Sequence, residues 1–110
     1  EEIVSVPGRH VFFRTSDQPR PQVLLVFNPE ATAVPPKPGA DQPVPPHGAR
    51  GPGHFCLAVA PEQLEPWRTH LIAKGIPIEA DFHWPNGARS IYVRDPAGNS
   101  IELADPAIWG

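Results

Sequence analysis

The residues with the clearest chemical potential in this sequence are Glu102, near the end of the chain, and His54, near its middle. Residues 100–104 alternate polar and apolar side chains, which predicts a strand with Glu102 on one face and Ile101 and Leu103 on the other. A carboxylate in this position either points to water or is held by a partner. Which of the two is true decides whether Glu102 is a surface residue or a functional one.

His54 begins a second predicted strand, at residues 53–60. The alternation places an apolar row on one face, consisting of Phe55, Leu57 and Val59. The other face carries His54, Cys56 and Ala58. A histidine at a strand start is either a hydrogen-bonded surface group or a ligand. Cys56 has no base beside it in the sequence, so we expect a small buried residue rather than a nucleophile.

The bulk composition excludes several classes of function. The 110 residues carry a formal net charge of −3, which provides no electrostatic footprint for nucleic acid or for anionic membrane. No apolar run approaches the ~20 residues of a membrane span. A single cysteine excludes an internal disulfide. We therefore expect a cytoplasmic protein with one small core.

Strands and one helix must position these residues. The pattern predicts strands at residues 1–7, 10–14 and 22–27, and the last is so apolar that we expect it to be buried on both faces. Residues 35–52 are rich in proline and predict an extended linker that does not pack. The second half predicts a helix at 61–74, an edge strand at 76–82, and a hairpin with strands 90–94 and 100–104. Pro66 is expected in the first helical turn and Gly75 just after the last.

The two halves of the sequence repeat each other. Residues 7–14 align with 86–94, and residues 22–29 align with 99–106. The repeat predicts an α+β fold of two βαβββ modules. The first module, at 1–34, lacks its opening strand and helix; 35–52 is the linker; 53–110 is a complete second module. We therefore expect either a fragment or a chain that has lost those elements.

Three segments resemble one known superfamily. They are Gly53-His54-Phe55, the helix pattern Leu64, Trp67, Leu71 and Gly75-Ile76, and Arg-Asp-Pro-Ala-Gly-Asn-Ser-Ile-Glu-Leu at 94–103. They resemble the vicinal oxygen chelate superfamily, which includes glyoxalase I, fosfomycin-resistance enzymes, extradiol dioxygenases and bleomycin-resistance proteins. The resemblance is strong over 53–108 and weaker over 1–29. It implies that the two modules pair to form an open, curled mixed sheet, and it specifies a fold more closely than a reaction.

The resemblance implies a divalent metal ion (Fe²⁺, Mn²⁺, Zn²⁺ or Ni²⁺) held in a barrel formed by the two modules. His54 and Glu102 match the first-strand and last-strand ligands of the second module. Leu25 takes the last-strand position of the first module and cannot bind metal. The third ligand is expected in the missing N-terminal segment or in a partner chain.

The same strand facing predicts the walls of a substrate cleft. From the first module these are His10, Phe12, Val23, Leu25 and Phe27. From the second they are Cys56, Ser90, Tyr92 and Arg94. Tyr92 is the expected donor to a substrate oxygen, and Arg94 is the expected partner of a substrate anion.

Two functions remain open at this point. The first is a metal-dependent enzyme, either a glyoxalase-like lyase or isomerase or an extradiol-type dioxygenase, acting on a small substrate through adjacent oxygens. The alternative is a metal-free protein of the bleomycin-resistance type that binds a small aromatic ligand at a dimer groove. A homodimer is expected in either case, because a sheet that lacks its first strand exposes an edge.

Overall fold

The computed structural model describes all residues from 1 to 110, which form two compact units, Glu1–Arg50 and Gly51–Gly110. The first unit is a three-stranded antiparallel sheet in the order β1-β2-β3. Its strands are β1 (Glu2–Val6), β2 (His10–Ser16) and β3 (Gln22–Phe27). A four-residue helix, α1 (Pro29–Thr32), follows at once, and the Asn28 side chain caps it by accepting from the Glu30 N–H.

The prediction that residues 22–27 are buried on both faces is wrong. Val23, Leu25 and Val26 are 42%, 49% and 45% exposed. β3 is an edge strand, and within its unit the only helix is the single turn of α1. The apolar run at residues 22–27 therefore indicates a high propensity to form a strand and does not indicate burial on both faces.

The proline-rich segment contains no helix or strand, but it does make contacts, contrary to the expectation that it does not pack. The His47 N–H donates to the Thr32 carbonyl at 3.0 Å. The His47 ring meets the Phe27 ring edge-on, with centroids 4.6 Å apart. Gly48 lies so close to Pro29 that a Cβ there would be 2.9 Å from the Pro29 Cβ. The segment thus folds back on α1 and the end of β3.

The second unit has the predicted βαβββ order. Its elements are β4 (His54–Ala58), α2 (Pro61–Ala73), β5 (Ala80–His83), β6 (Arg89–Arg94) and β7 (Ser100–Ala104), followed by a 3₁₀ turn at Pro106–Trp109. The sheet order is β4-β7-β6-β5. β4 runs parallel to β7, and the other neighbours are antiparallel. The α+β prediction, with open sheets, is confirmed.

The core lies between α2 and one face of this sheet. Leu64 and Leu71 of α2 pack against Ile91, Val93 and Leu103 of the sheet. Half-buried apolar residues extend the cluster: Leu57, Val59, Ile76, Ile78 and Ile101. Full burial of one such side chain stabilises the fold by about 2 kcal/mol. The apolar side chains of the sheet therefore pack against α2, and the polar side chains lie on the opposite face.

The ends of α2 explain two differences from the sequence prediction. Pro61 is the first helical residue, so Pro66 lies inside the helix rather than in its first turn. Gly75, with φ of +71°, donates to the Ile72 carbonyl, and the Ile76 N–H donates to the Leu71 carbonyl at 3.0 Å. This is a Schellman cap, which occupies the start of the predicted strand 76–82. With Pro77 unable to donate, regular pairing begins only at Ala80.

Neither helix of the structure has the length and apolar content needed to cross a membrane.

Candidate functional site

The polar residues singled out in the second unit share the sheet face opposite α2. The strand register pairs Cys56 with Glu102, and Glu102 with Tyr92. His54 pairs with Ser100 on the same face. Because side chains two apart on a strand point the same way, these residues form one patch across β4, β7 and β6.

Glu102 is held by partners and does not point to water. The residue is only 6% exposed. The Ser90 hydroxyl donates to its Oε1 at 2.7 Å. Its other oxygen, Oε2, lies 3.3 Å from the Nε2 of His54. A buried carboxylate needs such partners, because leaving it unpaired in an apolar environment is costly.

The His54 ring is oriented by the backbone of the neighbouring strand. Its Nδ1 lies 3.2 Å from the Ser100 carbonyl oxygen, which can only accept a hydrogen bond. In the tautomer that donates from Nδ1 to this carbonyl, Nε2 carries the lone pair of a neutral ring and is available to a metal ion. A backbone carbonyl on one ring nitrogen is the usual way in which a metal-ligating histidine is fixed.

The His54–Glu102 geometry fits two neighbouring ligands of one ion. With metal–ligand bonds of about 2.1 Å and angles of about 90–110°, two donor atoms lie about 3.0–3.4 Å apart. The observed separation of 3.3 Å lies in this range. No group of three or more His, Cys, Asp or Glu residues in the chain is arranged to hold a metal ion. The chain thus supplies two converging donors.

Tyr92 lies beside this pair within a row of rings. Its ring stacks with His54 at a centroid distance of 6.1 Å and with Phe82 at 5.9 Å. Partial burial, reinforced by the Glu102 carboxylate, raises the pKa of the Tyr92 hydroxyl. The hydroxyl is therefore protonated at neutral pH and can donate a hydrogen bond; the role of Tyr92 toward a substrate stays a prediction.

Cys56 is exposed, so the expectation of a buried residue is wrong. It belongs to β4, which is an edge strand, and it faces away from α2. Desolvation and the neighbouring Glu102 carboxylate raise the pKa of its thiol. A thiol held in its protonated form is a poor nucleophile.

Arg94 is already engaged by another side chain. It donates to both oxygens of Glu79, at 2.6 and 3.0 Å, and to the Gly98 carbonyl at 3.1 Å. Arg94 and Tyr92 line a cavity of about 230 Å³ together with Ser100 and residues of the β5 region, Glu79, Ala80 and Phe82. A substrate anion at Arg94 would have to share its guanidinium with Glu79.

The site residues predicted in the first unit form a cluster of their own. The His10 ring stacks on Phe12 at 4.4 Å, and both meet Phe27 edge-on at 5.8 and 5.5 Å. Leu25 pairs with Phe12 in the register of β2 and β3. The His10 Nδ1 is buried and has no hydrogen-bond partner. Their role as substrate walls stays a prediction.

One residue beside the site has a role that the sequence reasoning missed. The Trp84 indole N–H donates to the Ser90 hydroxyl at 2.8 Å, and its ring packs against Phe82 at 5.0 Å. Trp84 lies in the loop between β5 and β6. Strand periodicity does not apply to a loop, so the sequence carried no signal for the direction of this side chain.

Comparison with known families and structures agrees with this architecture. The model of the glyoxalase/bleomycin resistance protein/dioxygenase superfamily matches residues 2–103. No curated protein sequence matches the chain. Among solved structures, a lactoylglutathione lyase from Agrobacterium tumefaciens is 40% identical, with a TM-score of 0.84. That similarity covers 100% of this chain and 78% of the other.

Two more distant structures share the fold. One is a glutamate-to-glutamine mutant of a fosfomycin resistance protein, FosX, from Listeria monocytogenes, complexed with Mn(II) and 1S,2S-dihydroxypropylphosphonic acid. It is 18% identical, with a TM-score of 0.60, over 96% of this chain and 72% of its own. The other is a superfamily member from Sphaerobacter thermophilus, 15% identical, with a TM-score of 0.57, over 91% and 70%. With the family model and the 40% identity together, the chain belongs to the glyoxalase/bleomycin resistance protein/dioxygenase superfamily.

Proposed function

We propose that the chain carries the site of a divalent-metal-dependent, glyoxalase-like lyase that acts on a small substrate with adjacent oxygens. The observation that carries this proposal is the convergence of His54 Nε2 and Glu102 Oε2 at 3.3 Å, each with its second polar atom held by another group. The 40% identity to a protein described as a lactoylglutathione lyase favours lyase chemistry over an extradiol-type dioxygenase.

His54 and Glu102 would hold the metal ion through one nitrogen and one oxygen. Such a donor set suits Zn²⁺, Ni²⁺, Mn²⁺ or Fe²⁺. A divalent ion, when bound, polarises substrate oxygens and stabilises the negative charge that develops on them. A further protein donor would come from a second copy of the chain.

The other residues of the patch would bind and orient the substrate. The Tyr92 hydroxyl, kept protonated by its raised pKa, is available to donate to a substrate oxygen. The rings of Phe82 and Tyr92, parallel within 4°, offer a flat apolar wall beside the metal donors. A small group next to the chelating oxygens would lie against this wall.

Lactoylglutathione lyase activity, measured with and without chelator, tests this function. We expect activity that disappears on chelation and returns with one of the four metal ions. His54→Ala is expected to abolish it, whereas the control His83→Ala, an exposed histidine of β5, is expected to retain it. Activity that survives chelation and His54→Ala would contradict the proposal.

A metal-free binding protein is the second candidate, favoured by the same aromatic wall. The row of rings from His54 through Tyr92 and Phe82 to Trp84 would bind a planar ligand without any ion. A His54→Ala, Glu102→Ala double variant separates the two functions. The binding protein keeps its affinity for an aromatic ligand such as bleomycin in the double variant, and the enzyme loses both metal and turnover.

We also propose that the protein is a homodimer. The three-stranded sheet has unpaired edges at β1 and β3, and its apolar residues Val4, Leu25 and Val26 are exposed. Exposed apolar edges favour pairing with another chain. Static light scattering is expected to give twice the mass of the chain; a monodisperse monomer would contradict this.

A further inference from the structure

Three side chains of the second unit form a continuous hydrogen-bonded chain that ends on Glu102. The Trp84 Nε1–H donates to the Ser90 Oγ at 2.8 Å, and the Ser90 hydroxyl donates to the Glu102 Oε1 at 2.7 Å. Ser90 is fully buried and Glu102 is nearly so. Solvent therefore does not compete for the central link, and the geometry of the chain is set by the protein alone.

The direction of every hydrogen bond in this chain is fixed by chemistry. An indole nitrogen can only donate, so the Ser90 oxygen must accept from Trp84. The single hydroxyl proton of Ser90 is then free to point at the Glu102 Oε1, 2.7 Å away. Trp84 thus removes the alternative in which the hydroxyl proton points toward the indole.

The loop between β5 and β6 places the indole at this position. The backbone N–H of Trp84 donates to the Ala88 carbonyl, and the backbone N–H of Gly87 donates to the Trp84 carbonyl, both at 2.8 Å. Gly87 has a φ of +88°, a backbone conformation that side-chain-bearing residues rarely adopt. The indole ring packs edge-on against the ring of Phe82, with the centroids 5.0 Å apart.

We propose that Trp84 and Ser90 are positioning residues for Glu102. Together they occupy Oε1 and hold the carboxylate plane so that Oε2 is the one oxygen presented to the His54 side, where the proposed metal ion would bind. The effect on metal binding rests on the proposed function. The hydrogen bonds from Trp84 to Ser90 and from Ser90 to Glu102 form without any metal. Neither residue touches the proposed substrate or ion directly.

Two substitutions test the chain at its two links. Ser90→Ala removes the donor to Glu102, and Trp84→Phe removes the indole N–H while keeping a smaller aromatic ring at this position. Mn²⁺ binding to the full chain is measured by titration calorimetry. Loss of an outer-shell partner typically lowers metal affinity about 10- to 100-fold, which is the effect expected for Ser90→Ala. Trp84→Phe, which removes one neutral hydrogen bond, is expected to weaken binding about 2- to 10-fold.

The double variant gives the sharper result. If Trp84 acts through Ser90, adding Trp84→Phe to Ser90→Ala causes no further loss of Mn²⁺ affinity. If the two residues act independently, the fold-losses of affinity multiply. Trp67→Phe, on the exposed side of α2, is the matched control and is expected to bind Mn²⁺ like the unmodified chain. Trp84 is 39% exposed, so its variant is expected to fold even if Ser90→Ala does not.

A second readout works without metal. Hydrogen exchange of the Trp84 indole N–H, followed by NMR, is expected to be slow in the unmodified chain and to accelerate in Ser90→Ala. Unchanged exchange, or Mn²⁺ affinities of both single variants within twofold of the unmodified chain, would overturn the inference. If the unmodified protein binds none of Mn²⁺, Zn²⁺, Ni²⁺ and Fe²⁺, the proposed function is contradicted instead. The exchange result alone then decides whether the hydrogen bonds from Trp84 to Ser90 and from Ser90 to Glu102 exist in solution.

Discussion

Arg94 of β6 and Glu79, just before β5, form a two-point ion pair, with Nε to Oε2 at 2.6 Å and Nη2 to Oε1 at 3.0 Å. The pair lines the cavity that also contains Tyr92. The fork of the guanidinium matches both carboxylate oxygens, so Arg94 is oriented before any substrate arrives. An anionic substrate group would therefore find Arg94 in place but partly neutralised.

Removal of Arg94 should change the titration of Glu79. The hydrogen bonds from Arg94, and then its charge, lower the pKa of Glu79. In Arg94→Met we expect the pKa of Glu79 to rise toward its ordinary value, as followed by ¹³C NMR of the carboxyl carbon. Arg50→Met, which removes the partner of Glu30 in the other unit, is the control and should leave Glu79 unaffected. A Glu79 titration identical in both variants would mean that the ion pair does not persist in solution.

Stability in acid should depend on Asp81. Arg89 donates to both its oxygens, at 2.8 and 2.7 Å, and Arg68 donates to one at 3.0 Å. Hydrogen bonds from Arg89, more than the opposing burial, lower the pKa of Asp81 below its ordinary 3.8. The stabilisation is thus fully present above about pH 4 and is lost as the pH falls through the lower pKa of the folded state.

Urea unfolding at pH 7 and near pH 2.5 measures this effect. Asp81→Asn is expected to lower the free energy of unfolding at pH 7 by about 1 kcal/mol or less, because the pair lies near the surface. The free energy of unfolding should also differ less between the two pH values in this variant than in the unmodified protein. An equally steep loss of stability in acid for both proteins would assign the acid sensitivity to other carboxylates.

The contact of α2 with the sheet should dominate stability in the second unit. Leu64 is 1% exposed and packs on Ile91, which is fully buried. Leu64→Ala is expected to lower the free energy of unfolding by about 2–5 kcal/mol, since it removes buried surface and leaves a cavity. Ile72→Ala, on the exposed side of the same helix, should cost about 0.5 kcal/mol or less. Comparable losses in the two variants would place the core elsewhere.

Tyr92 should affect turnover and not metal content. Tyr92→Phe keeps the ring beside His54 and Phe82 but removes the hydroxyl. If that hydroxyl donates to a substrate oxygen, kcat should fall roughly a hundredfold while bound metal is unchanged. An unaltered kcat would leave Tyr92 as a wall residue only, and a loss of metal would mean that it supports the ligands instead.

The fold of the second unit could be predicted because its patterns are local. The alternation in residues 100–104 and the Gly75 cap each follow from a few neighbouring residues. The exposure of β3 could not be predicted, because burial depends on what covers a strand rather than on its own composition. The late start of β5 reflects competition between the helix cap and strand pairing at Ile76, which no single segment reveals.

The candidate site shows the same division. Periodicity placed Glu102, Cys56 and Tyr92 on one face, and the register agrees. It did not reveal the Arg94–Glu79 pair or the Trp84–Ser90 link, because both join residues from different elements through side-chain geometry. Contacts of this kind depend on how the loop and strand are turned, which the spacing of residue types does not encode.

The most direct test of the account is the metal content of the protein after purification without chelator or metal-affinity resin. Elemental analysis by mass spectrometry is expected to find about one equivalent of Fe, Mn, Zn or Ni, and to find it lost in the folded His54→Ala, Glu102→Ala variant. No bound metal in the folded unmodified protein, and none taken up on addition of any of the four ions, would contradict the claim that His54 and Glu102 are metal ligands.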